Sequence, residues 1–245
     1  MVLAVCALAL SMAALILRAL PLANNIALFV AVGSPYVALA AVVVLVFSVV
    51  YRRVVMTAVA AAIVAANVVI QVPWYYFGKP TDTGAHVSIR VLSANLRLGQ
   101  ADVLSLVDLA RASADVITLS EMTPDWLRRF YATGARTEFP HSVLVPALGA
   151  GGFGLWSRFP LEVVTPMKGG SMIAARVQVP GVRVDPVIAS VHIINPLALY
   201  GQAFGQWQTG IAAAKVRMAG LAATAGSGAV IVAGDFNSTP DMRQF

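Results

Sequence analysis

The sequence predicts apolar membrane helices followed by a soluble α/β domain. Three observations indicate this arrangement: apolar runs fill residues 1–72, all 11 Asp and Glu residues lie at or beyond Asp82, and the spacing of apolar residues changes near residue 86. The 245-residue chain is 59% hydrophobic and only 11% charged, whereas about 25% charged residues is usual in globular domains. We therefore divide the chain into a membrane segment at 1–72, a linker at 73–86 and a domain at 87–245.

Three apolar runs make up the membrane segment, at Met1–Leu22, Ile26–Val50 and Val54–Val72. Each is close to the ~20 residues that a helix needs to cross a bilayer. A secretory signal peptide would explain only the first run, and its apolar core would be about 7–15 residues long and would follow a charged start. No cationic side chain precedes the first run, and long uncharged runs are rare in soluble cores. We predict three transmembrane helices.

The cations of the membrane segment predict its orientation. Arg52 and Arg53 lie in the short turn between the second and third runs, and short cytoplasmic loops collect Lys and Arg. This places the N-terminus in the cytoplasm and the domain outside the cell membrane, with residues 74–77 as an aromatic belt at the outer interface. Arg18 would lie near the outer end of the first helix and would extend its side chain to the interface.

The soluble part begins with a pattern typical of a β-α-β unit. Residues Val87–Leu96 are expected to form a strand, Ala101–Arg111 an amphipathic helix, and Asp115–Ser120 a buried strand. A second helix is expected from Thr123, a good N-cap residue followed by proline, to about Tyr131.

The rest of the domain is predicted to be mainly β structure with one long helix. Turn signals at Gly149–Gly152 and Pro180–Gly181 separate the apolar runs. A helix over Gly205–Ala225 precedes a final strand at Ala229–Ala233. The predicted strands between them are His141–Val145, Phe153–Ser157, Met172–Val179 and Val182–Ile194.

Polar residues recur where these strands end, which is where α/β folds place ligand-binding groups. In isolation each has an ordinary structural explanation. Glu121 would then be a surface carboxylate before a helix, His192 a core histidine, and Asp235 with Asn237 a turn. The candidate site residues are Asn95, Glu121, His192, Asp235 and Asn237.

These motifs occur in the order found in the endonuclease/exonuclease/phosphatase superfamily, which residues 87–245 resemble. They are an Asn-Leu pair on the first strand, the Glu at 121, a Gly-x-Gly-x-Trp-Ser-Arg-Phe-Pro-Leu hairpin, the His strand and Gly-Asp-Phe-Asn. The resemblance implies a DNase I-like four-layer α/β sandwich.

The resemblance also implies roles for the five residues. Glu121 and Asn95 would bind Mg²⁺ or Mn²⁺, and hard cations of this kind prefer carboxylate and carbonyl oxygens. Asp235 would orient the attacking water, and Asn237 would hold a phosphate oxygen. His192 occupies the position of a phosphate-binding histidine in the phosphatase and sphingomyelinase branches of the superfamily.

One family feature is missing from the sequence. Members continue with further strands and an Asp-His pair, but no histidine follows Asn237, and residues 240–243 look like the start of a helix. We therefore expect the sandwich to lack its last strands and the chain to be either a fragment or a degenerate copy. Loss of a general acid or base typically lowers a rate by ~10²–10⁴-fold, so the functional hypothesis concerns the lineage that this chain resembles.

The leading functional hypothesis is a membrane-anchored, Mg²⁺-dependent phosphoesterase outside the cytoplasm. The layout of three spans and a domain resembles bacterial teicoplanin-resistance membrane proteins of the superfamily, which suggests a polyprenyl pyrophosphate as the lipid-linked substrate. The alternatives are a catalytically inactive membrane protein with a binding or assembly role, and a nuclease.

Charge and polarity separate some of these classes. Residues 73–245 carry 14 of the 17 Lys and Arg residues, but these are scattered along the chain, which disfavours nucleic acid as a partner. A transporter is disfavoured because Asn67 and Gln71 are the main polar groups of the spans. The bilayer and a phosphorylated substrate are the expected partners, and no sequence feature indicates an oligomeric state.

Overall fold

The structure, a computed structural model, describes residues 1–76, 86–164, 170–198 and 202–239, without the side chains of residues 71 and 73–76. The side chains of the predicted aromatic belt at 74–77, residues 77–85 of the predicted linker at 73–86, and the helix start at 240–243 lie outside this description. The chain divides into two compact units, residues 1–83 with 238–245, and residues 84–237.

Three helices make up the first unit: α1 (Val2–Ala19), α2 (Asn25–Val50) and α3 (Val54–Tyr76). Helices α1 and α2 are long and apolar enough to cross a membrane, whereas the apolar part of α3, Val54–Ile70, is shorter than 18 residues. Among the residues that the structure describes, two helices are therefore candidate spans, both near the N-terminus. Helix α3 continues four residues beyond the predicted end of the third span at residue 72.

Three polar side chains in these helices find hydrogen-bond partners among the helices themselves. Ser11 Oγ donates to the carbonyl of Val37 at 3.0 Å, Thr57 Oγ1 donates to Ser48 Oγ at 3.0 Å, and Asn67 Nδ2 donates to the carbonyl of Ile63 at 2.9 Å. Because a hydrocarbon surrounding offers no alternative partner, such internal pairing is what a membrane environment requires.

The second unit begins with a four-stranded sheet, sheet A. Its strands are β1 (Val91–Asn95), β2 (Val116–Ser120), β3 (His141–Val145) and β4 (Phe153–Ser157), in the order β1-β2-β4-β3. Strands β1 and β2 are parallel, and the other two pairings are antiparallel. Helix α4 (Val103–Ser113) connects β1 to β2, and helix α5 (Pro124–Ala132) follows β2.

A second four-stranded sheet, sheet B, follows along the chain. Its strands are β5 (Leu161–Val163), β6 (Met172–Val177), β7 (Val187–His192) and β8 (Val230–Asp235), in that spatial order. Only β7 and β8 pair in parallel, and the long helix α6 (Ala203–Ala225) connects them.

The two sheets pack face to face between two layers of helices. One core lies between the sheets and contains Val116 and Leu155 of sheet A with Ile173 and Ile188 of sheet B. A second core joins the other face of sheet A to α4 and α5. Strand β7 is buried along its whole length, and helix α6 contacts the neighbouring strand β8. This helix-sheet-sheet-helix order confirms the predicted four-layer α/β sandwich.

The strands of the structure differ from the sequence prediction in several places. The strand predicted to begin at Val182 begins at Val187, because Gly181 turns with φ +84° and Asp185 folds back to accept a hydrogen bond from Val179 N. The first strand begins at Val91 rather than Val87. Strand β5 was not predicted, because three residues are too few to show an alternating pattern.

An ion pair joins the starts of β1 and β2. Asp115 accepts hydrogen bonds from Arg90 Nε at 3.1 Å, Arg90 Nη2 at 2.9 Å and Arg90 N at 2.8 Å. The side-chain hydrogen bond from Arg90 holds the pKa of the Asp115 carboxyl below its usual value. The next residues of the two strands, Val91 and Val116, face one another across the β1–β2 pairing. The Arg90–Asp115 ion pair therefore helps to fix the register of these strands, and this register aligns the candidate site residues at their other ends.

Candidate active site

The five predicted site residues come together at one end of the sandwich. Asn95 is the last residue of β1 and Glu121 follows the last residue of β2, while His192 and Asp235 face one another as the last pair of β7 and β8. Both strand pairs are parallel, so their carboxyl ends lie at the same edge of each sheet. The site is thus made where the two sheets meet.

Glu121 lies in a sharp turn directly after the last residue of β2. Its backbone has φ +58°, which is uncommon for a residue with a side chain. Its Oε2 atom accepts a hydrogen bond from Leu98 N at 2.7 Å, and its side chain is only 14% exposed. Gly152 makes the turn possible, because a Cβ atom there would lie 1.9 Å from the carbonyl oxygen of Met122.

Asn95 connects the two carboxylates of the site. Its Nδ2 atom donates to Glu121 Oε1 at 2.9 Å and to Asp235 Oδ2 at 2.9 Å. Its Oδ1 atom accepts from Arg97 N at 2.8 Å, which fixes the orientation of the amide. One neutral side chain therefore separates two anionic groups that would otherwise repel each other.

His192 is buried beside Glu121. Its Nε2 atom lies 3.4 Å from Glu121 Oε1, and its side chain is 5% exposed. Its Nδ1 atom lies 2.9 Å from the carbonyl oxygen of Ala150. Because that carbonyl can only accept, Nδ1 is the protonated nitrogen when the ring is neutral, and Nε2 is then the acceptor that faces the site.

Asp235 and Asn237 form a compact loop after β8. Asp235 Oδ1 accepts from Asn237 N at 2.9 Å, and Asn237 has φ +46°. Asn237 Nδ2 donates to the carbonyl of Ile193 at 2.8 Å, and its own carbonyl accepts from Trp207 Nε1 at 2.9 Å. Gly234 is required before this loop, because it has φ +152° and a Cβ atom there would lie 2.0 Å from the carbonyl oxygen of Val191.

The donor set suits a hard divalent cation. Two carboxylates and one amide are oxygen-rich ligands, and Mg²⁺ takes few protein ligands because it keeps several waters. In this structure Asn95 presents its nitrogen to both carboxylates and its oxygen to Arg97 N, so the amide would have to turn over for its oxygen to join a metal shell. Within the described ranges, no group of three or more His, Cys, Asp or Glu side chains is arranged to hold a metal.

Three supporting residues were not predicted from the sequence. The amide of Leu98 binds Glu121, the carbonyl of Ala150 orients His192, and the indole of Trp207 anchors Asn237. Two of these act through backbone atoms, which carry no residue-specific signal. Trp207, near the start of the alanine-rich helix α6, was the one signal available.

Comparisons with known proteins agree with this fold. The sequence profile of the endonuclease/exonuclease/phosphatase family matches residues 92–245. Comparison with the curated proteins finds no match.

Several solved structures are similar to this chain at low identity. The 3′ phosphatase NExo from Neisseria bound to product DNA hairpin is 18% identical with a TM-score of 0.49, over 62% of this chain and 59% of that one. Sphingomyelinase C from Streptomyces griseocarneus is 17% identical with a TM-score of 0.49, over 65% and 68%. A β-hairpin deletion form of beta toxin from Staphylococcus aureus is 14% identical with a TM-score of 0.47, over 65% and 71%. This chain thus spans between 59% and 71% of the length of these proteins.

The profile match covers more than half of the chain, and it includes all five of the predicted site residues. Members of the family are hydrolases that act on phosphate esters. The chain belongs to the endonuclease/exonuclease/phosphatase family.

Proposed function

We propose that this protein is a membrane-anchored, divalent-metal-dependent phosphoesterase that hydrolyses a lipid-linked phosphate ester or anhydride, with a polyprenyl pyrophosphate as the first substrate to test. The single observation that carries the proposal is the connected set Glu121, Asn95 and Asp235, which joins the two sheets, with His192 at 3.4 Å from Glu121.

Glu121 and Asn95 would hold Mg²⁺ or Mn²⁺ in this site. The bound cation would supply charge stabilisation for the phosphoryl group and the leaving oxygen. Glu121 is suited to this role because Leu98 N holds one of its carboxylate oxygens at 2.7 Å, so little side-chain freedom remains to be lost.

Asp235 would position the attacking water and accept its proton. Each of its carboxylate oxygens already accepts one hydrogen bond, from Asn95 and from Asn237 N. A carboxylate oxygen has two lone-pair sites, so each retains capacity for a water. The two fixed bonds would hold the carboxylate in one orientation, which favours reaction over a freely rotating base.

Asn237 and His192 would bind the phosphate. Asn237 Nδ2 uses one of its two N–H groups on the carbonyl of Ile193, so the second would donate to a phosphate oxygen. With Nδ1 fixed by Ala150, His192 Nε2 would face the substrate and donate to phosphate once protonated. Both groups would therefore contact developing negative charge at fixed positions.

The lipid-linked class of substrate is supported by the N-terminal unit. Helices α1 and α2 are apolar enough to cross a membrane. An enzyme anchored by them would meet a membrane-resident substrate by diffusion in the plane of the bilayer. We also propose three spans with the domain outside the cytoplasm, because the turn between α2 and α3 carries Arg52 and Arg53. A cysteine placed at Ser88 should react with a membrane-impermeant reagent in intact cells, and protection there would contradict this orientation.

Phosphate release tests the proposal. Wild-type protein in detergent micelles is expected to release phosphate from a polyprenyl pyrophosphate when Mg²⁺ is present and not in EDTA. The matched control is Glu162→Gln, which removes an exposed carboxylate of β5 and should retain activity. Release that continues in EDTA, or release equally by Glu121→Ala, would contradict the proposal.

A further inference from the structure

Three exposed leucines lie on the loops that frame the candidate site. Leu98, Leu148 and Leu197 are 49%, 87% and 42% exposed. We call residues 96–99, 146–152 and 193–198 the rim loops, and these three the rim leucines. Scattered surface leucines are ordinary, so the argument depends on where these three lie.

Each rim leucine is close in sequence to a group of the site. Leu98 donates its own amide to Glu121. Leu148 precedes Ala150, whose carbonyl holds His192, and Leu197 follows His192 by five residues. Among the described residues of the domain, the other exposed leucines are Leu104 and Leu109, and both belong to helix α4. Among the described residues of the domain, three of the five exposed leucines thus lie on the rim loops.

The rim loops also have a distinct charge. None of their residues is Asp or Glu, and their single cation is Arg97, which is exposed and next to Leu98. Among the described residues no ion pair involves Arg97, while the other arginines nearest in sequence, Arg90 and Arg111, both pair with carboxylates. An apolar edge with one cation and no carboxylate is complementary to a phospholipid surface, where anionic phosphates lie above hydrocarbon.

We propose that the rim leucines insert into the interfacial layer of a phospholipid bilayer and bring the site to lipid phosphates at that surface. This inference rests on the proposed function, because it gives that function a route from the bilayer to the site. Arg97 would bind lipid phosphates beside the inserted leucines. The same chain carries helices apolar enough to cross a membrane, so a bilayer is the partner that the site would meet at high local concentration.

A fluorescence experiment tests insertion without requiring turnover. Cys6 is the single cysteine of the chain, so the full-length Cys6→Ser background permits one label per variant. An environment-sensitive fluorophore is attached through Leu148→Cys or Leu197→Cys, and through Leu109→Cys as the matched control. Each protein is reconstituted into phosphatidylglycerol vesicles with or without bromine atoms on the acyl chains.

Insertion predicts quenching by brominated lipid at positions 148 and 197 and little at position 109. Equal quenching at all three positions, or none at 148 and 197, would overturn the inference. A third outcome would also overturn the inference: brominated lipid does not quench the label at position 148, but the fluorescence of that label changes with protein concentration. The rim would then contact a second copy of the chain.

Kinetics provide an independent readout. The double variant Leu148→Ser with Leu197→Ser is expected to raise KM for a phosphate ester embedded in vesicles at least about tenfold, since each leucine transfer to an apolar phase is favourable. KM for a water-soluble short-chain ester should not change, and Leu109→Ser should change neither. If the wild type hydrolyses both esters and the double variant has the same KM as the wild type for the ester embedded in vesicles, the rim inference fails. If the wild type hydrolyses neither ester, the proposed function fails, and insertion is still decided by quenching.

Discussion

Asn95 Nδ2 lies 2.9 Å from Asp235 Oδ2, although 140 residues separate them in the chain. The same nitrogen donates to Glu121 at 2.9 Å. One amide thus joins the end of β1 in sheet A to the end of β8 in sheet B. The candidate site exists because the two sheets are packed so that these strand ends meet.

Replacing this amide by a carboxylate should destabilise the metal-free domain. In Asn95→Asp three carboxylates would meet, and the lost hydrogen bonds alone should lower the free energy of unfolding by about 1–3 kcal/mol. Mg²⁺ should recover much of the loss if the set binds a cation. Denaturant titration in EDTA and in Mg²⁺, followed by tryptophan fluorescence, measures the loss of stability and its recovery by Mg²⁺. Asn195→Asp, an exposed substitution of the same kind, should change little, and equal stability of the two variants in EDTA would contradict the account.

Removing the imidazole of His192 should impair turnover more than folding. We expect His192→Ala to lower kcat/KM by about 10²-fold or more, since the loss of one preorganised donor to a reacting oxygen typically has that effect. The comparison variant is His141→Ala, at the first residue of β3. Steady-state rates of the two variants, with circular dichroism to confirm folding, decide the matter. Similar rates for both would remove His192 from the mechanism.

The backbone at Gly234 should tolerate no side chain. A Cβ atom there would lie 2.0 Å from the carbonyl oxygen of Val191, and φ is +152°. Gly234→Ala should therefore lower the free energy of unfolding by at least about 2 kcal/mol. Gly220 lies inside α6 with open space around it, so Gly220→Ala should instead stabilise by about 0.5–1 kcal/mol. The same direction of change in both variants would contradict this assignment of strain.

The ion pair of Arg90 and Asp115 predicts a dependence on pH. The hydrogen bond from Arg90 lowers the pKa of Asp115 in the folded state, so the pair stabilises above the unfolded pKa of about 4 and this stability is lost as pH falls through the lower folded pKa. Asp115→Asn should thus be less stable than the wild type at pH 7, and the difference should shrink below about pH 4. Denaturant titrations from pH 7 to pH 3 measure this. A difference that stays constant or grows with acidification would contradict the pairing.

Sequence patterns predicted most of the strands and the candidate residues at their ends, because strands follow from apolar runs and turn signals. The four layers were predicted from the resemblance to the family. The connection through Asn95 could not be predicted, since it depends on how two sheets pack over a separation of 140 residues. The turn at Glu121 could not be predicted either, because no sequence pattern indicates that a glutamate has a positive φ. The strand start at Val187 was misplaced because Val182 and Val184 continue an apolar pattern through a loop.

Metal-dependent phosphate release by the intact chain tests the central claim most directly. Wild type, Glu121→Gln and Glu162→Gln are compared with a lipid-linked phosphate at increasing Mg²⁺ concentrations. The account predicts Mg²⁺-dependent release by the wild type and Glu162→Gln, and a loss of at least about 10²-fold in Glu121→Gln. Equal release by all three proteins would contradict the assignment of this site.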